Sequence, residues 1–142
     1  MPDSSSNPWE DDLIADLRAN GGRPSAGPLA GHPLLIMQST GAKSGEPRRA
    51  ILTYTRDGDD FVVAGTKSGA PTDPLWVGNI RANGSITLEV ANETFRATAT
   101  IVEGSERDRL WGQHVAELPW FAPYPEMAGR PIPMIRLRRR QG

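Results

Sequence analysis

From residue 34 onward, apolar positions fall into short runs, each closed by a turn-forming cluster. Leu34-Leu35-Ile36-Met37 is continuous, which suits a strand buried on both faces. Arg49 to Thr55 is rich in β-branched and aromatic residues, and the following Arg56-Asp57-Gly58-Asp59 is a hairpin signal. Phe61-Val62-Val63-Ala64, Ser85 to Val90, Phe95 to Val102 and Ile132 to Leu137 complete the predicted strands. Asn83-Gly84 and Asn92-Glu93 supply turns between them.

Three other stretches carry helical spacing. Asn7-Pro8-Trp9-Glu10 predicts a helix start, with Asn7 as cap, Pro8 at the first helical position and Glu10 reaching back. Trp9, Leu13, Ile14 and Leu17 share a face there, and Gly21-Gly22 ends the helix. Pro74 to Ala82 is a second short helix, with Leu75, Trp76, Asn79 and Ile80 near one side. Ser105 to Glu117 is the third, with Ser105 as cap and Leu110, Trp111, His114 and Val115 on one face. Residues 1–7 read as a disordered lead, 8–28 as a helix and linker, and 29–142 as the main domain.

Mainly antiparallel strands with few helices predict a mainly β, α+β fold: a six-stranded split β-barrel with an N-terminal helix and two or three short covering helices. At 142 residues the chain suits one domain with a real core. A net charge of −1 argues against a general nucleic-acid surface, so any anion site is local. Zero cysteines exclude disulfides and thiolate catalysis and fit a reducing cytoplasm. Two histidines, His32 and His114, make a histidine metal site improbable, and no metal is expected. No apolar run reaches the roughly 20 residues that span a bilayer. Acidic Glu10, Asp11, Asp12 and Asp16 on the first helix would be repelled by anionic lipid.

The chemistry lies in a repeated turn. Gly41-Ala42-Lys43-Ser44-Gly45 recurs as Gly65-Thr66-Lys67-Ser68-Gly69, each copy straight after a strand-like run. Glycine, exposed N–H donors, a hydroxyl and an ammonium are the parts of an anion cradle. Either copy alone is an ordinary solvated turn; both together, with Arg48 and Arg49 behind the first, predict a ligand carrying several negative charges. The spacing is not that of a P-loop, because Lys43 precedes its second glycine and a strand follows.

Other candidates are weaker. Trp76 and Asn79 suit core and cap roles, or a helix N-terminus that adds N–H groups to the anion site. Trp120, Phe121 and Tyr124, in a loop stiffened by Pro119, Pro123 and Pro125, form either the apolar wall of a ligand pocket or a plug at a barrel end. Arg136, Arg138, Arg139 and Arg140 are expected on the solvated edge of a final strand, with Ile135 and Leu137 facing in. No nucleophile–base pair is evident, so a cofactor would have to carry the chemistry.

The ordered set Thr40-Gly41-x-Lys43-Ser44-Gly45-x-x-Arg48, Leu52, Asp57-Gly58, Lys67-x-Gly69, Pro74-x-Trp76-x-x-Asn79 and Asn83 resembles the deazaflavin-dependent nitroreductase family of actinobacteria, over about Leu34 to Ile135. That resemblance implies a split barrel using coenzyme F420 for hydride transfer. It implies that Lys43, Ser44, Arg48 and Arg49 hold the phosphate and acidic tail. Ala42, the strand Ala50, Ile51, Leu52 and Thr53, the turn Ala64, Gly65, Thr66 and Lys67, and helix residues Leu75, Trp76, Val77, Gly78 and Asn79 would surround the rest of the coenzyme.

A substrate pocket is implied at Thr53, Leu118, Trp120, Phe121 and Tyr124. The family's best-known member carries tyrosines at three positions where this chain has Thr53, Leu118 and Phe121; only Tyr124 is retained. Loss of three phenols weighs against nitroimidazole reduction and leaves a quinone-like or other unsaturated acceptor. Thr66 and Tyr124 are the candidate donors to charge developing on that acceptor, with water as an equal alternative. FMN as the cofactor and a non-catalytic deazaflavin carrier are the alternatives, and monomer or homodimer both remain open.

Overall fold

The computed structural model describes residues 8–27 and 29–140; Asn7 and the predicted disordered lead lie outside them. Helix α1 spans Pro8–Ala19. Strands β1 (Leu34–Thr40), β2 (Pro47–Thr53), β3 (Thr55–Asp57) and β4 (Asp60–Ala64) follow. A 3-10 turn (Lys67–Gly69) leads to α2 (Leu75–Ala82), then β5 (Ser85–Val90), β6 (Glu93–Val102) and α3 (Gly104–Glu117). A second 3-10 turn (Pro119–Phe121), α4 (Tyr124–Ala128) and β7 (Met134–Arg139) complete the order.

All seven strands form one antiparallel sheet in the order β2-β1-β5-β6-β7-β4-β3. The seventh strand arises because Arg49 to Thr55 is not one straight element. It breaks at Tyr54, so that Leu34↔Thr53 closes the pairing with β1 and Thr55↔Val62 opens the pairing with β4. The two outer strands of the sheet are thus joined through one residue, and the sheet must curl to bring them together.

Alternation then fills the interior. Leu35 and Met37 of β1, Phe61 and Val63 of β4, Ile86 and Leu88 of β5, Ala97 and Ala99 of β6, and Ile135 and Leu137 of β7 form the barrel core. Val77 and Ile80 of α2 close it on one side. A second core lies on the outer face, where Val62, Ala64 and Met134 meet Leu110 of α3 with Leu118, Phe121 and Ile132. β4 is therefore buried on both faces, which explains its unbroken apolar sequence. Each such leucine or isoleucine stabilises the fold by about 1.5–3 kcal/mol relative to exposure.

Several local expectations shift. The β5–β6 turn is Ala91-Asn92, both at positive φ (49° and 70°), and β6 starts at Glu93. Glu103, not Ser105, holds the cap position of α3, without a side-chain cap bond. The proline-stiffened segment is helical rather than a loop, because proline suits the first turn of a helix. β7 lies between β6 and β4, and its Ile135 and Leu137 face the barrel core as expected. Arg138, Arg139 and Arg140 are exposed as expected, whereas Arg136 is largely buried, meeting Asp57, Asp60 and Glu106 at 2.9, 2.7 and 2.9 Å; Arg138 meets Asp60 at 2.9 Å. Hydrogen bonds from Arg109 and Arg136 hold the Asp57 carboxyl down to about 2.

Candidate functional site

The two repeated turns are brought to one cleft of about 780 Å³, lined by Ala42, Lys43, Arg48, Arg49, Lys67, Pro74, Leu75, Trp76, Gly78 and Asn79. The first turn is closed by Gly41 N–H to Glu46 O at 2.7 Å and Gly45 N–H to Gly41 O at 2.9 Å, with Gly45 at φ +72°. A side chain at position 41 would place its Cβ 2.6 Å from Ser44 Oγ and 3.3 Å from Glu46 O, so any larger residue would have to displace the serine hydroxyl. Asn79 Oδ1 of α2 accepts Ala42 N–H at 2.9 Å and ties the turn to the helix.

The second turn leaves β4 through Gly65, where a Cβ would lie 2.8 Å from both Pro133 and Val77 side-chain carbons. Lys67 sits at φ +48°, a left-handed conformation that a lysine adopts at a cost of about 1 kcal/mol or more. Its Nζ reaches Thr72 Oγ1 at 3.4 Å. Among the described residues no carboxylate lines the cleft. Arg48 meets Glu46 only at 3.8 Å, and neither Lys43 nor Lys67 forms an ion pair among the described residues. Lys43, Arg48 and Lys67 thus share one volume with little internal neutralisation, whereas Arg49 is paired with carboxylates of α1.

Other predicted residues fall elsewhere. Ser44 does not line the cleft; its Oγ accepts from Arg48 Nη2 at 3.0 Å and from Glu46 N–H at 3.2 Å. Arg49 lines it, yet also meets Glu10 and Asp11 of α1 at 3.4 and 3.2 Å. On β2 the register puts Arg48, Ala50 and Leu52 opposite Ser39, Met37 and Leu35, facing the barrel interior. Ile51 and Thr53, opposite Ile36 and Leu34, lie on the other face. Val77 is fully buried in the barrel core, and Ala64 lies in the outer core. Leu75, expected beside Ile80, is instead 85% exposed at the cleft mouth.

The predicted substrate wall divides. Leu118 and Phe121 are buried under α3, the plug alternative, because their side chains complete the outer core. Trp120 is partly exposed with His32 edge-on at 5.0 Å. Tyr124 is half-buried against Phe121 at 5.4 Å and beside Gly69, and Thr66 is buried on the near side of the same turn. His114 is a packing residue as expected: its Nδ1 shares a 2.9 Å hydrogen bond with Thr55 Oγ1, and burial pushes its pKa down to about 4. No group of three or more metal-ligating side chains occurs among the described residues.

One residue gave no sequence signal. Arg130, after the left-handed Gly129 that caps α4, inserts its guanidinium among carbonyls of the 65–73 loop. Its acceptors are mostly main-chain oxygens, which no residue pattern advertises.

A curled antiparallel sheet with a cationic cleft between its turns and α2 places the chain among the split-barrel proteins, and the comparisons place it among the F420-dependent reductases of that fold. The solved F420-H2 dependent reductase FDR-A matches at TM-score 0.69 and 29% identity, over 75% of this chain and 94% of that one. The profile of the F420H(2)-dependent quinone reductase family matches residues 12–138, and the chain belongs to that family. Among its relatives, F420H(2)-dependent quinone reductase Rv1261c of Mycobacterium tuberculosis (strain ATCC 25618 / H37Rv) is 38% identical over 112 residues, 76% of this chain and 74% of the relative. Putative F420H(2)-dependent quinone reductase Rv3178 of the same organism is 28% identical over 108 residues, 76% and 91% of the two chains.

Proposed function

We propose that this chain is an F420-dependent reductase whose acceptors are quinones or similar electrophilic unsaturated molecules. The observation that carries this is the meeting of Lys43, Arg48 and Lys67 on one cleft without a lining carboxylate. A deazaflavin coenzyme with a phosphate and glutamate carboxylates matches that donor set in charge. Trp76 and Leu75 offer apolar surface beside the cations, as a ring system requires. When bound, the reduced deazaflavin supplies the hydride.

The chain's own contribution is positioning and electrostatics. Lys43, Arg48 and Lys67 hold the acidic groups, with Arg49 shared between the cleft and α1. Tyr124 and Thr66, at the Lys67–Gly69 turn, are the candidate donors to an oxygen gaining charge on the acceptor. Tyr124, half-buried beside Gly69 of the Lys67–Gly69 turn, is the aromatic of the predicted acceptor wall that lies nearest that turn. We place the reaction in the cytoplasm, as the cysteine-free chain suits a reducing compartment.

Ultrafiltration of the protein with F420 tests the cleft, and oxidation of the reduced coenzyme by menadione tests the reaction. Each of Lys43→Ala and Lys67→Ala is expected to raise the coenzyme Kd about tenfold, ~1.4 kcal/mol. Wild-type affinity in the double variant would falsify the cradle. Retention without oxidation across a quinone panel would favour a carrier role, and displacement of F420 by FMN would favour FMN.

A further inference from the structure

Resting on the coenzyme site proposed above, we infer that Arg130 is a positioning residue, which sets the 65–73 loop so that Lys67 and the neighbouring amides face the cleft. Its side chain is 14% exposed and all three guanidinium nitrogens are engaged. Nε donates to Ala70 O at 3.1 Å; Nη1 donates to Asp73 Oδ1 at 2.7 Å and to Gly65 O at 3.4 Å. Nη2 donates to Gly65 O, Thr66 O and Thr72 O at 3.4, 3.2 and 2.8 Å. One planar fork thus gathers both ends of the loop, a task for which arginine's fixed donor geometry suits better than lysine's single ammonium.

The consequence follows from peptide geometry. In a trans peptide the C=O of one residue and the N–H of the next point in opposite directions. Drawing Gly65 O and Thr66 O onto Arg130 therefore turns the N–H groups of Thr66 and Lys67 away from it. Neither amide bonds a protein acceptor among the described residues. Lys67, whose side chain lines the cleft, is the residue held at φ +48°. Such a conformation persists only where its surroundings over-determine it. Arg130 supplies that constraint on the side opposite the free amides. It does not line the cleft, so it acts through Lys67 rather than on a ligand.

Arg130→Gln and Arg130→Lys separate positioning from general stability. Amide hydrogen exchange on the protein without coenzyme is expected to quicken by about tenfold or more in both variants at Gly65, Gly69 and Ala70, the hydrogen-bonded amides of 65–73, with β5–β6 amides unchanged. The F420 Kd is expected to rise about tenfold in both variants. Lysine, keeping the charge but not the fork, should not rescue; it also serves if the glutamine variant fails to fold. Wild-type exchange across 65–73 in both variants would overturn the inference, as would a loosened loop with unchanged coenzyme affinity. Failure of wild-type protein to retain F420 would instead sink the proposed function, while the ligand-free exchange comparison still decides whether Arg130 holds the loop.

Discussion

His114 shows how one side chain can set the acid limit of the fold. Its imidazole is sealed between Thr55 and Phe121, and burial lowers its pKa from 6.5 to about 4. The unfolded chain therefore binds the proton more readily than the folded one between those values. Stability is complete above pH 6.5 and is lost as pH falls toward 4, by roughly 3 kcal/mol at most. Thermal unfolding of wild type from pH 7 to 4 should show this decline, and His114→Leu should flatten it. An equal slope in both proteins would assign the acid sensitivity to other groups. At this scale the repetition of the glycine–lysine–serine turn singled out Lys43 and Lys67 together, and both line one cleft. The sequence was silent on Arg130, whose acceptors are carbonyls common to every residue.

Elements interpret those residues for one another. α2 does two tasks at once: Val77 and Ile80 face the barrel core, while Asn79, on another side, holds Ala42 N–H. Asn79→Ala removes that acceptor without touching a cation. It should cost about 1 kcal/mol of stability and raise the F420 Kd about fivefold, measured by denaturant unfolding and equilibrium binding. Unchanged affinity would mean that the Gly41–Gly45 turn keeps its shape alone. Strand positions were readable from apolar runs and turn residues, and β4 was plain because both its faces are covered. The helical Pro119–Ala128 segment was not, since its prolines mark turns and helix starts equally well. The kink at Tyr54 was hidden because both halves of that segment share one β-rich composition.

At the scale of the molecule, the sheet is held by pairings between segments far apart in the chain. β7 bridges β6 and β4 through Ile101↔Ile135 and Val63↔Ile135, among others. Its Leu137 is fully buried in the barrel core. Leu137→Ala should destabilise the whole domain by about 2–5 kcal/mol in urea unfolding. The loss should appear as one cooperative transition; a separate early transition for β3–β4 would show that the barrel does not unfold as a unit.

The place of β7 also bears on how the protein comes into being. A polypeptide emerging from the ribosome exposes the other six strands before Met134–Arg139 is available. Until then the β3–β4 hairpin has no neighbour to join it to β6, and Val63 lacks its partner Ile135. Closure must wait until that stretch is free to pair, so the barrel forms late and in nearly a single event.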